Sequence, residues 1–367
     1  MEGEIFIIYL DNAATTPLSE AAKQAIINHL DYYGNPSSSY EFARKSRILI
    51  EDARARIAKC INAEPDEIFF TSGGSEANSW VIKQYMTMSS PIEHHSLSSH
   101  YNNVIIGKDG LISPQHFSCA NHSLAKIFEV MSCMCINNEI GTIQPIKDIA
   151  KIAHGKGMLF HTDAVQAVGH VNIDVKDIDC DLLSASGHKF GAPKGVGFLY
   201  VKQGTKMDSM IFGGGQEGGI RGGTENILGI VSMAAALEDA VANMDERNKH
   251  VKKLRNKMLC KLLPVEGMHI NGSMANRSVS NLNIRFDGVL GSRLVALCDL
   301  YGVCISAGSA CNEGNATPSS VLKAIGLTDE EALNSIRITI GHQNTEEEIN
   351  AAAEIITKLV ERIRSDV

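Results

Sequence analysis

The feature that most constrains the fold is an alternation along the chain. Short runs rich in β-branched and aromatic residues, at Glu67–Thr71, Val130–Asn137, Met158–Asp163, Asp181–Ser186 and Gly195–Val201, are separated by stretches with helical spacing. Runs this short and apolar read as buried strands. Strands that alternate with helices pair mostly in parallel, because a return to the same sheet edge needs a crossover. The expectation is an α/β chain with a mostly parallel sheet wrapped by helices. Helical periodicity is clearest over Ser39–Ile61, the Ala-rich Asn226–Met244 and Thr345–Ile363. Beyond the charged stretch Asp245–Lys257 the pattern changes to strands at Ser280–Phe286 and Ser335–Ile340 with helices between, which points to a second, smaller α+β domain.

At 367 residues and 44% hydrophobic content, the chain can bury a large core and a second smaller one. A formal net charge of -8 with no run of Lys or Arg argues against nucleic acid or an anionic membrane as partner. The apolar run Ile5–Leu10 follows Glu2 and Glu4 and stops at Asp11, so it lacks the basic flank and length of a secretory signal. No stretch is long and apolar enough to span a bilayer. The 9 cysteines are scattered without a disulfide rhythm, which fits a reducing compartment and a cytoplasmic location.

Three segments carry chemistry. The strand ending in Ser184-Ala185-Ser186 runs on into Gly187-His188-Lys189, so Lys189 sits at the carboxyl edge of the sheet, where such folds place ligands. In isolation it reads as a surface lysine in a glycine-rich turn. Upstream, His161-Thr162-Asp163-Ala164-Val165-Gln166 brings an acid and an amide to the same edge. A carboxylate against a pyridine nitrogen is what pyridoxal chemistry needs, although Asp163 alone reads as a helix N-cap. Phe69–Asn78 passes from strand through Gly73-Gly74 into a helix start, which suits an anion; alone, such a glycine pair is often just a turn. It is neither a P-loop nor a GxGxxG fingerprint, which argues against nucleotides.

Taken with Tyr9–Pro17, Gly34–Ser38, Asn137-Asn138-Glu139-Ile140-Gly141, Arg221–Asn226, Ser309-Ala310-Cys311 and Ser335-Ile336-Arg337, these blocks occur in an order that resembles the cysteine desulfurases of the NifS/IscS type. That family lies within the fold-type I pyridoxal-phosphate (PLP) enzymes and the class V aminotransferases. The resemblance spans nearly the whole chain. It implies a large PLP-binding domain over 14–250 with a mostly parallel seven-stranded sheet. It also implies a small α+β domain from 1–13 and 251–367 that carries a catalytic cysteine loop.

The resemblance further implies a role for each matched residue. Lys189 matches the lysine that condenses with the coenzyme aldehyde, Asp163 the partner of the pyridine nitrogen and Gln166 the partner of the phenolic oxygen. His94 matches the histidine stacked on the ring. Gly74, Ser75, Ser186 and His188 match the phosphate cup, with Thr224 supplied by the second subunit of a homodimer. Arg337 matches the anchor of the substrate carboxylate, and Asn138 would complete the site by bonding either that carboxylate or the phenolic oxygen of the coenzyme. His94 and His188 would otherwise read as ordinary surface residues among 13 histidines, and Arg337 as a structural salt bridge. The substrate implied is L-cysteine, converted to L-alanine with the sulfur carried on Cys311 to an acceptor such as an iron–sulfur scaffold protein.

Cys311 also stands out on its own. It lies in Ile305–Asn315, a small, polar, glycine-bearing stretch that would bury a thiol poorly, and an exposed thiol able to ionise is what sulfur attack requires. Cys60, Cys180, Cys260 and Cys298 fall in helical or strand patterns and read as buried apolar residues. Cys133-Met134-Cys135 is a CxC without a second pair, so no metal site is expected. Departures from the family pattern are Asn78 where many relatives carry Asp, Gly218-Gly219 after Gln216-Glu217, and His342 after Gly341 where Arg is common; Ser98–Ala120 matches only loosely. The competing readings are a selenocysteine lyase or aminotransferase on the same fold, and a non-catalytic dimer that binds a sulfur carrier. An aminotransferase needs no thiol, and a scaffold gains nothing from Lys189, Asp163, Gln166 and Arg337 together.

Overall fold

A computed structural model describes residues 7–97, 106–113, 127–308, 311–312 and 315–366. After the short strand β1 (Ile8–Tyr9) come helices α1 (Glu20–Asn28) and α2 (Glu41–Cys60), and then a sheet. Its strands are β2 (Ile68–Thr71), β3 (Thr87–Ser89), β4 (Val130–Ser132), β5 (Leu159–Asp163), β6 (Leu182–Ser186) and β7 (Gly197–Val201), in the spatial order β2-β7-β6-β5-β4-β3. Strands β3 to β6 are parallel neighbours, and β7 runs against both β6 and β2. The reversal has a simple cause. Parallel neighbours need a crossover of a dozen or more residues, and only residues 187–196 separate β6 from β7. Every residue of β4, β6 and β7 is buried, so these strands carry apolar runs rather than alternation.

Helices cover the sheet. α2 buries Ala43, Ser46, Ile50, Ala53, Arg54, Ile57 and Ala58, a stripe at spacings of three and four. α3 (Gly74–Gln84) leaves the carboxyl end of β2, and α4 (Ile146–Gly155) joins β4 to β5. The Ala-rich α5 (Ile227–Ala242) is buried along most of its length, with α1 and α2 packed on it. The resulting core takes in Ile57, Phe70, Met131, Phe160, Ala185, Phe198 and Leu237.

A second apolar cluster gathers Ile8 and Leu10 with Val251, Leu254, Leu282, Ile336, Ile356 and Ile363. It is built from α6 (Met244–Leu262), α7 (Gly291–Leu300), a four-stranded sheet and the terminal helix. The sheet order is β11-β14-β9-β8, from β8 (Met268–Ile270), β9 (Asn281–Phe286), β11 (Ser306–Ala307) and β14 (Ser335–Thr339). Strand β10 (Val303–Cys304) pairs with β1 instead. Between β11 and β14 lie the hairpin β12 (Cys311–Asn312) and β13 (Asn315–Ala316), then α8 (Ser320–Ala324) and α9 (Asp329–Leu333). The terminal α10 (Glu346–Ser365) opens on a reciprocal cap, Thr345 with Glu348, under a run of acids, and ends on Arg362 and Arg364, so both ends complement its dipole. Among the described residues no single helix is long and apolar enough to cross a membrane.

Three expectations need correction. The sheet has six strands among the described residues where the resemblance implied seven, with the short Thr87–Ser89 at its edge; β4 ends as a regular strand at Ser132, although the Cys133 and Cys135 N–H groups still donate to the His161 and Asp163 carbonyls of β5 at 3.0 and 2.9 Å. The buried face of α6 carries Val251, Leu254, Arg255, Met258 and Leu262, which turns Cys260 outward, so that thiol is exposed. Cys60, near the end of α2, is half-buried, whereas Cys180 and Cys298 are buried.

Candidate active site

The chemistry-bearing side chains collect at the carboxyl edge of the larger sheet. Asp163 ends β5, Ser186 ends β6, Lys189 follows in the β6–β7 connection, and Gly74 with Ser75 begins α3. Together with Asn78, His94, Met134, Asn138, Gln166, His188 and Arg337 they line one cavity of about 370 Å³. Arg337 reaches it from β14, so the cavity lies between the two apolar clusters.

Asp163 is buried at the closed end. Its Oδ1 accepts from the Val165 N–H at 2.9 Å and its Oδ2 from Asn78 Nδ2 at 2.7 Å. Burial raises its pKa; those two hydrogen bonds, His94 and Lys189 pull the other way. The Lys189 ammonium is pushed down to about 8, chiefly by burial and then by the Arg337 charge, while Asp11 and Asp163 oppose the shift. Its Nζ donates to the Ala13 and Ala14 carbonyls, each at 2.7 Å, and Gln166 Nε2 donates to the same Ala13 oxygen at 2.9 Å.

His94 stands exposed at the rim, yet the surrounding protein lowers its pKa against the pull of Asp163. The Ser96 backbone N–H donates to His94 Nδ1 at 3.2 Å, and the Ser96 hydroxyl, which accepts from Asn78 Nδ2 at 2.9 Å, lies 2.8 Å from the same nitrogen. A nitrogen that accepts a backbone N–H carries no proton, which assigns the neutral ring's proton to Nε2. His188 is pushed down to about 4 by burial and by Lys189 and Lys194, and its Nδ1 lies 3.1 Å from Thr15 Oγ1. Arg337 pairs with Asp11 at 2.7 Å and donates to the Asn138 carbonyl at 3.1 Å, while its buried Nε has no partner.

One expected residue lies away from this cavity, as its assignment to a partner subunit requires, and the side chain of another falls outside the described structure. Thr224 lines a separate depression with Phe70, Thr71, Ser72, Glu217 and Arg221. Beside it, Arg54 grips Glu217 through a two-pronged ion pair at 2.8 Å, and Arg221 grips Glu76 of α3 at 2.9 and 3.1 Å. Glu217, Gly218 and Gly219 all take left-handed backbone angles, which explains the glycine pair that departs from the family pattern. Cys311 lies on β12 opposite Ala316, and the position of its side chain is outside the described structure. Cys133 and Cys135 are both buried, and burial pushes the Cys135 thiol up to about 12.

Asp11, Thr15 and Ser96 complete the site but were not singled out from sequence. Asp11 and Thr15 lie in the quoted block Tyr9–Pro17, which was the available signal; Ser96 had none.

The residues present fit the coenzyme implied by the family resemblance. A buried carboxylate whose oxygens bond only to neutral Val165 and Asn78 donors is better satisfied by a cation, and a protonated pyridine nitrogen is one. At the other end the cavity meets the first N–H groups of α3, where a phosphate is favoured. The backbone comes close there: a Cβ added at Gly74 would sit 2.4 Å from Val165 Cγ2. The buried Asn78 Oδ1, also at this cavity, has no partner.

Comparison with known proteins follows the same direction. A family model described as Aminotransferase class-V matches residues 8–352. The chain is 39% identical to a protein named Cysteine desulfurase IscS from Methanosarcina thermophila, over 98% of this chain and 93% of that one. It is similar to a solved NifS-like protein from Rickettsia africae, with a TM-score of 0.89 and 30% identity over 97% of this chain and 99% of the other. It is also similar to a structure described as SspA in complex with cysteine, with a TM-score of 0.78 and 31% identity over 92% and 99% of the two chains.

Proposed function

The chain belongs to the aminotransferase class-V family of PLP-dependent enzymes, and from that premise we propose that it is a cysteine desulfurase. It converts L-cysteine to L-alanine and carries the sulfur as a persulfide on Cys311 to an acceptor protein for iron–sulfur cluster or thionucleoside synthesis. The observation that supports this most is the convergence of Lys189, Asp163 and Arg337 on one cavity in a chain so similar to named cysteine desulfurases.

Bound there, the coenzyme supplies an electron sink for the charge left when the substrate loses its α-proton. Arg337 fixes the substrate carboxylate, and its unpartnered Nε is a donor free to do so. Lys189, with a pKa near 8, is in part a neutral amine at physiological pH and takes the α-proton. Asp163 would hold the coenzyme's pyridine nitrogen protonated, Gln166 would be the donor to its phenolic oxygen, and Gly74, Ser75, Ser186 and His188 would hold its phosphate. The Cys311 thiolate bonds to the substrate sulfur as the carbon–sulfur bond breaks; the electron pair stays on the carbon fragment, which takes up a proton and leaves as L-alanine.

The working unit in this reading is a homodimer in the cytoplasm, with Thr224 reaching the partner's phosphate cup. Support comes from Thr224 lying outside its own cavity, and from exposed apolar side chains at Ile27, Leu30, Tyr33, Tyr40 and Phe212 that a partner would cover.

The test is turnover of L-cysteine by the holoenzyme with a thiol reductant, following alanine and sulfide. Wild type is expected to form both in equal amounts and the Cys311→Ala variant neither. Turnover that depends on an added keto acid instead would make the chain an aminotransferase.

A further inference from the structure

The block Asn137-Asn138-Glu139 enters the site described above only through Asn138, whose carbonyl accepts from Arg337. Structurally it is a junction. Asn137 Nδ2 donates to the Ile92 carbonyl at 2.8 Å, just ahead of His94, and its Oδ1 accepts from the Glu139 and Ile140 N–H groups at 2.8 and 2.9 Å. The Asn138 carbonyl orients Arg337. Glu139 is fixed from the second sheet, its carbonyl accepting from Asn281 Nδ2 at 3.0 Å and Asn283 Nδ2 at 3.2 Å.

The Glu139 side chain then meets both ends of the segment that carries Cys311. Its Oε2 accepts from the Ser319 hydroxyl at 2.5 Å, and Ser319 is the N-cap of α8, where that segment ends. At the other end, a Cβ added to Gly308 would lie 2.8 Å from the same Oε2. Gly308 thus runs close to this carboxylate, and a side chain there would require the Glu139 carboxylate to shift. Below Ser319, Val321, Leu322 and Ile325 pack with Ile92, Met134 and Ile140, so α8 rests on the same junction. Gly308 and Ser319, which flank residues 309–318, thus both lie against a single carboxylate, whose backbone adjoins the Asn138 carbonyl that orients Arg337.

We propose that Glu139 is the positioning residue for Cys311: it clasps both ends of the cysteine-bearing segment and registers them against the Asn138–Arg337 contact. Holding Gly308 and Ser319 at one point limits how far the thiol between them can range from a substrate whose carboxylate Arg337 holds, which raises the effective concentration of the attacking sulfur. The inference rests on the desulfurase reading. It predicts a defect in sulfur transfer separate from any defect in α-proton removal.

The experiment uses holoenzymes of wild type, Glu139→Ala, Glu139→Gln, Ser319→Ala and Cys311→Ala. Two reactions are followed: exchange of the α-proton of L-alanine with deuterated solvent, which needs no thiol, and sulfur deposited on Cys311 in one turnover of L-cysteine, read by peptide mass. In Glu139→Ala, exchange is expected to stay within about twofold of wild type, whereas sulfur transfer falls about a hundredfold, the scale of an ångström-sized misplacement. Glu139→Gln, which keeps an acceptor for Ser319, is expected to recover most of the loss. Ser319→Ala should fall in the same direction, and both alanine variants should be cleaved faster by protease within residues 309–318. Unchanged sulfur transfer in Glu139→Ala, or a parallel loss of both reactions that Gln does not rescue, overturns the proposal. Sulfide release that persists in Cys311→Ala instead sinks the desulfurase reading, whatever Glu139 does.

Discussion

Arg337 and Asp11 sit 2.7 Å apart at the cavity wall, and the two charges act on Lys189 in opposite directions, Arg337 lowering its pKa and Asp11 raising it. The ion pair therefore does two jobs. It holds the guanidinium in place for a substrate carboxylate, and it sets how much of the Lys189 amine is neutral near physiological pH.

The amine must be neutral to react with an aldehyde, so the rate of coenzyme uptake by apoenzyme should rise with pH through about 8. Arg337→Met removes the lowering charge and should move the midpoint up; Asp11→Asn removes a raising one and should move it down. Absorbance during reconstitution at several pH values measures both. Shifts of the opposite sign would contradict the assignment of charges around Lys189.

Arg337→Lys keeps the charge but loses the planar fork and cannot satisfy Asp11, the Asn138 carbonyl and a substrate carboxylate together. The expected outcome is a rise in KM for L-cysteine of about tenfold or more with a smaller change in kcat, since one good charge-assisted hydrogen bond is lost. Steady-state kinetics with L-cysteine decide it, and an unchanged KM would remove Arg337 from substrate binding.

Asp163→Asn replaces the carboxylate with a group that cannot hold a proton on the pyridine nitrogen. Exchange of the L-alanine α-proton should fall by about a hundredfold or more, the scale for losing a positioned proton-holding group. Binding of coenzyme, read by absorbance after dialysis, should weaken as well. Full exchange activity in this variant would contradict the role given to Asp163.

Two buried groups contribute to the pH dependence of stability in opposite directions. His161, wholly buried between Ser132 Oγ and Ser184 Oγ, is pushed down to about 3 by burial. The unfolded chain takes up a proton below about 6.5 that the folded chain refuses, so stability present above that pH drains away as pH falls toward 3, at about 1.4 kcal/mol per pH unit inside the window. Glu93 is the mirror case. Burial pushes it up to about 8, and its Oε2 has no partner. Stability therefore declines as pH rises from about 4.5 through 8, where the unfolded chain has released a proton that the folded chain keeps. Urea midpoints across pH should show His161→Gln flattening the acid limb and Glu93→Gln the alkaline one. Parallel profiles for wild type and variants would contradict both.

Much of the site was readable because its signals are local. Asp163 and Lys189 each follow a short apolar strand directly, and a strand's carboxyl end is a place that sequence marks well. The reversed β7 was also implicit, since residues 187–196 are too few for a crossover. What sequence could not give is distance. Asp11 and Arg337 are joined only by the packing of β1, β10 and β14 regions far apart in the chain, and Glu139 meets Ser319 the same way. Cys260 was misread for a different reason: helical spacing there allows either face, and only the packing of α6 decides which is covered.

The most direct measurement is a single turnover of the holoenzyme with sulfur-labelled L-cysteine, followed by peptide mapping of the label. The expected result is one labelled sulfur per active site on Cys311, with an equal amount of L-alanine. Alanine formed with no label on Cys311, or label on another thiol such as the exposed Cys260, would contradict the assignment.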